Sequence, residues 1–89
     1  MLEALKRQCR VDFDDDDELL ANCLDAAFDE TVRLTGRTIN DLYELGDGRL
    51  PAPLRQAVLI RAAQFYSQPE GTDKPNMLYY SLIRNYQLI

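Results

Sequence analysis

The chain has 89 residues, a formal net charge of −5, no histidine and two cysteines. That length implies one domain, residues 1–89, with a small core, because so short a chain buries only about 60% of its unfolded surface. The acidity argues against a protein that grips nucleic acid through a basic stripe, and no stretch reaches the roughly 18 apolar residues of a membrane helix.

Small domains usually lean on disulfides, a metal or partner subunits. Cys9 and Cys23 both fall on apolar positions of helical patterns. The opening residues carry Lys6, Arg7 and Arg10 and no apolar run of export length, so buried, reduced thiols of a cytoplasmic protein are expected. Two isolated cysteines without histidine make no zinc site. No metal or cofactor is therefore expected, and partner subunits remain as the external support.

Leu2, Leu5 and Cys9 recur at helical spacing and predict a short amphipathic opening piece. Val11 and Phe13 alternate with Arg10, Asp12 and Asp14, which reads as a brief extended linker. The acidic run Asp14 to Glu18 lacks the alternate ligands, central glycine and distant glutamate of a calcium loop. It reads instead as a helix start, with Asp15 as N-cap, Glu18 completing a capping box and the other acids facing the positive helix end.

The helix that follows spans about Asp16 to Leu34. Leu20, Leu24, Ala27, Thr31 and Leu34 form its stripe, and Leu19, Cys23, Phe28 and Val32 widen it. Gly36 ends it in the left-handed conformation that glycine adopts without steric cost. Thr38 to Leu45 is ambiguous between a helical turn or two and extended chain, and Gly46-Asp47-Gly48 signals a turn.

Pro53 suits the first position of the next helix, about Pro53 to Ser67. This is the most apolar segment, with Leu54, Ala57, Val58, Leu59, Ile60, Ala62, Ala63, Phe65 and Tyr66 on nearly every face. A helix apolar all round is central to its domain or covered by a neighbouring subunit. Arg61, in its middle, either snorkels to solvent or makes an intersubunit ion pair. Gln68 to Pro75 reads as a surface loop. Asn76 to about Tyr86 is helical again, with Met77, Leu78, Leu82, Ile83 and Tyr86 apolar and Tyr79 and Tyr80 adding amphipathic surface. The fold class is thus all-α, a small single-domain bundle of about four helices with an irregular or extended middle. Candidate oligomer or partner contacts are Leu59, Ile60, Arg61, Tyr66, Tyr79 and Tyr80.

No enzyme is expected. The commonest general base is missing with histidine, Ser67 and Ser81 have no nucleophile-elbow context, and Gly46 and Gly48 are too close together for a phosphate loop.

The order of parts carries a resemblance. An acidic start with Leu19-Leu20 leads to a helix containing Asp25-Ala26-Ala27, which stops at Thr35-Gly36-Arg37. Leu50-Pro51 then enters an alanine-rich apolar helix with a late Phe65-Tyr66, and a short Leu and Tyr helix closes the chain. Nearly the whole sequence thereby resembles the small head–tail connector proteins of tailed bacteriophages and prophages, also described as possible DNA-packaging proteins. The resemblance implies a structural subunit, made in the bacterial host cytoplasm and placed at the virion head–tail junction. It implies a ring of about twelve copies with heterologous contacts. It also implies docking beneath the portal protein, and a platform for the stopper or tail-completion protein. DNA would be passing cargo, which an acidic lumen lets slide. The competing reading is a helix-turn-helix DNA-binding or regulatory adaptor using Arg55, Gln56, Arg61 and Gln64.

Overall fold

The architecture follows from one apolar helix that needs cover on several sides. In the computed structural model, residues 2–10, 16–67, 75 and 77–87 are described. They form five helices and no strand: α1 (Leu2–Cys9), α2 (Asp17–Thr35), α3 (Ile39–Leu45), α4 (Ala52–Ser67) and α5 (Met77–Arg84). Helix α4 packs against α1, α2 and α5, and α2 also touches α1 and α5. The all-round apolarity of α4 is thus explained within the subunit. Leu54, Ala57, Val58 and Ala62 are buried, and Leu59, Ile60, Ala63, Phe65 and Tyr66 stay half-buried.

Helices α2 and α4 run antiparallel. Tyr66, late on α4, donates its hydroxyl to Asp16 Oδ2 at 2.6 Å, at the start of α2. Arg61, earlier on α4, meets Glu30, later on α2. Helix α5 runs in the direction of α2. Thr31 Oγ1 donates to Ala27 O at 2.7 Å and lies 2.9 Å from the Tyr79 hydroxyl. Beyond α5, Arg37 Nε donates to Tyr86 O at 2.7 Å and Gln87 Nε2 to Leu34 O at 3.1 Å. Lys6 on α1 stands 2.8 Å from Asp17 Oδ1, a charge contact without hydrogen-bond geometry.

Several expectations shift. The N-cap of α2 is Asp16, not Asp15, and its side chain makes no cap bond because its carboxylate accepts from Tyr66 instead. Asp15, the Val11–Phe13 linker and residues 68–74 lie outside the described residues. Along α2 the buried stripe is Leu20, Cys23, Ala27, Thr31 and Thr35. Leu34 is 38% exposed, because the stripe steps by four at its last turn and lands on Thr35. Thr35 fits there by donating Oγ1 to Val32 O at 2.6 Å and accepting from Arg37 N.

The middle segment is a fifth helix and not irregular chain. Thr38 Oγ1 accepts from Asp41 N at 3.1 Å and caps it. At its end Asp47 takes φ 56° and Gly48 N donates to Tyr43 O at 2.8 Å, the six-to-one bond of a Schellman turn. Helix α4 begins at Ala52, so Pro53 holds the second helical position, where a missing N–H still costs nothing.

Gly36 ends α2 at φ 73°, ψ 3°. Gly36→Val should therefore cost about 2 kcal/mol, by left-handed strain on a β-branched residue. That is a drop in Tm of roughly 10 °C for a domain of this size, and unchanged melting would refute the assignment. Gly46 is required for another reason: a Cβ there would meet Arg49 O at 1.9 Å and Pro51 N at 2.9 Å.

Arg61 does not snorkel to solvent, and it finds an ion partner within its own subunit. Its side chain is 8% exposed, with Nε 2.8 Å from Glu30 Oε1 and Nη2 3.5 Å from Oε2. Its Nη1 donates to Gln64 Oε1 at 2.8 Å, and its Cζ lies 4.4 Å from the Phe65 ring centroid. The Glu30 side chain is more open, at 23%. Removing the carboxylate strands a buried cation, whereas removing the cation leaves an anion that water can reach. Glu30→Leu should thus cost about 3 kcal/mol, Arg61→Met clearly less, and the double variant should fall within about 1 kcal/mol of wild type. Urea unfolding of the three variants checks the order, and equal single losses would sink this account.

Burial pushes the Tyr79 phenol up to about 12, against the lowering effect of its bond to Thr31. The folded-state pKa lies above the unfolded value, so the phenol's contribution is whole below about pH 10. It is lost as pH climbs from about 10 to 12. Thermal melts across that window should show a fall in stability that Tyr79→Phe removes.

Candidate assembly surface

The six sequence candidates do not form one patch. Leu59 and Ile60 lie side by side on the outer flank of α4, half-buried between its neighbours. Arg61 and Tyr79 belong inside the subunit: Arg61 is consumed by Glu30 and Gln64, and Tyr79 has no exposed surface. That moves the contact expectation off both residues. Tyr66 is half-buried, and its proton is held firmly by the Asp16 carboxylate, which with burial raises its pKa. Tyr80 is 43% exposed and stands edge-on to Tyr79, at 5.7 Å between centroids.

Tyr80 lines a cleft of about 360 Å³ with Glu30, Arg33, Leu34, Arg61 and Pro75. A second depression, of about 390 Å³, lies between α1 and the outer flank of α4 and is lined by Ala4, Ala52, Arg55, Gln56 and Leu59. A third, of about 220 Å³, is lined by Leu19, Asn22, Cys23, Ala26 and Phe65. Two small residues, Ala4 and Ala52, open the second depression, and half-buried Leu59 gives it an apolar wall.

Sequence reasoning missed the surface of α3. Leu42 alone is buried there, while Ile39, Tyr43 and Leu45 are 46%, 38% and 56% exposed. Met77 and Leu78 at the start of α5 are also open to solvent. A usable signal existed: Ile39, Leu42, Tyr43 and Leu45 put apolar side chains on more of a short helix than one core contact can cover.

The thiols give no reactive centre. Burial raises the pKa of both Cys9 and Cys23, and a nearby Cys9 raises Cys23 further. Among the described residues no three His, Cys, Asp or Glu side chains are grouped to hold a metal ion, and no helix is long and apolar enough to cross a membrane.

What remains is surface for contact, and comparison with known proteins agrees in kind. The family model of the phage gp6-like head-tail connector protein matches residues 1–87. No curated protein and no solved structure matches the chain. A match over nearly the full length, on an all-helical fold, settles the family: the chain belongs to the phage gp6-like head–tail connectors, a structural and not an enzymatic class at the junction of virion head and tail.

Proposed function

We propose that the chain is the repeating subunit of a connector ring. The ring, of about twelve copies, docks beneath the portal protein, lengthens the DNA channel and seats the stopper or tail-completion protein. The family match over residues 1–87 carries this reading. Two physical features support it. The subunit is acidic, at −5, so a channel built from many copies repels phosphate and lets DNA pass. It also keeps exposed apolar side chains on α3 and at the start of α5, which a neighbouring protein would cover.

The helix-turn-helix alternative loses its reading helix. Of the four candidate reading residues on α4, Arg61 is bound to Glu30 and to Gln64, which leaves Arg55 and Gln56 to meet a groove.

Native mass spectrometry of the purified protein over a wide concentration range tests the proposal. A discrete closed oligomer is expected, without retardation of duplex DNA at physiological salt. A monomer or dimer that shifts DNA in a salt-dependent way would overturn it. Leu59→Asp, on the half-buried outer flank of α4, should reduce assembly while keeping helical circular dichroism. Undiminished assembly of a folded Leu59→Asp protein would remove this flank from the contact.

A further inference from the structure

We infer that α3 of one subunit docks into the α1–α4 depression of the next copy, a pairing that rests on the ring reading above. The occupant is argued from charge and shape. Helix α3 has seven residues and buries only Leu42, so little of its surface is used within the subunit. It offers Ile39, Tyr43 and Leu45 as apolar anchors. The charges within the helix are both negative, Asp41 and Glu44, and the turn after it adds Asp47 before Arg49. None of these three pairs with a described cation.

The three depressions differ in what they show an acidic helix. The cleft beside Tyr80 holds Arg33 and Arg61, but each already faces an acid of its own subunit, Asp29 at 3.8 Å and Glu30 at 2.8 Å, so it has no spare cation to offer. The depression beside Phe65 has no cation in its lining and lies along a helix that carries Glu18 and Asp25. The α1–α4 depression is lined by Arg55, and α4 contains no acidic residue from end to end. On α1, exposed Arg7 stands one turn from Ala4, against Glu3 as the sole acid of that helix. Arg55 forms no ion pair with another described residue, so its charge is available. The anchors of α3 would meet Leu59 across the space left by Ala4 and Ala52.

Position fits as well. Helix α3 closes the end of the bundle between Gly36 and Leu50, whereas the depression lies on the flank of α4. A contact between two different surfaces is heterologous, the kind of contact that builds a ring when its rotation closes.

The test uses two charge reversals, each checked for native helical content. Glu44→Arg alone and Arg55→Glu alone should each weaken association about tenfold in sedimentation velocity, through like-charge juxtaposition. Mixed in equal amounts the two should assemble again. Alternating subunits then meet through one wild-type contact and one exchanged Arg–Glu contact. A second measurement avoids the charges: Asp41→Cys subunits mixed with Gln56→Cys subunits should give the mixed disulfide in preference to either homodimer. Single reversals that assemble like wild type, or a mixture that stays dissociated, would overturn the pairing and leave the ring standing. An Arg55→Glu protein that assembles normally would also free the depression for another virion protein. A wild type that stays monomeric at every concentration would overturn the ring and the pairing together.

Discussion

The bundle depends on covering α4 without stranding the one charge in its middle. Leu54, Ala57, Val58 and Ala62 demand a dry environment, and Arg61 shares their side of the helix. A guanidinium there is tolerable only if a carboxylate arrives at the same place. Glu30 does so at 2.8 Å, and it sits on the longest helix of the chain. The pair therefore fixes how far α2 slides along α4. Gln64 and the Phe65 ring hold the rest of the guanidinium. Such a pair adds little net stability over an apolar isostere, but it penalises every other register.

The remaining placements follow from that register. With Glu30 opposite Arg61, the start of α2 falls beside Tyr66, and Asp16 gives up its capping role to accept the phenol. Thr31, one residue past Glu30, is brought to α5, where it meets Tyr79. The turn at Gly36 then places Arg37 to tie down the chain after α5. Helices α1 and α5 fill the flanks that α2 leaves open. Helix α3 has no flank left to fill and keeps most of its apolar surface outside.

What was legible in the sequence was what depends on one residue or its near neighbours. Gly36 declared itself because few other residues accept φ 73°. The extents of α2 and α4 followed from periodicity and proline, to within one or two residues. What was not legible depends on distant pairing. Arg61 on an apolar helix looks the same whether it snorkels, meets a neighbouring subunit or finds Glu30 thirty-one positions away. The switch from Leu34 to Thr35 requires knowing that Thr35 can return its hydroxyl to Val32. Tyr79 and Tyr80 are adjacent and chemically identical, and only the location of Thr31 sends one inward and leaves the other at the surface. The proposed contact surface mixes both kinds: Leu59 and Ile60 stand out by excess apolarity, whereas the exposed side of α3 was hidden by its ambiguous local pattern.

The division of charge carries the last step. With fifteen acids against ten bases, a random arrangement would leave copies repelling one another at every contact. Here seven of the fifteen acids lie on α2 and α3 and four more in the run of sequence just before α2, while α4 has none and α1 has only Glu3. The molecule is thus polar in charge, despite its net sign, and two copies gain most by setting an acidic surface of one against α1 and α4 of the other. That arrangement is directional. It suits a head-to-tail series when the two surfaces lie on different sides of the subunit. In the proposed ring, the acids not consumed in such contacts would be left on the exposed faces of α2, free to keep a channel wall from holding DNA. Net acidity and self-association, opposed in a uniformly charged subunit, become compatible once the two signs are sorted onto different helices.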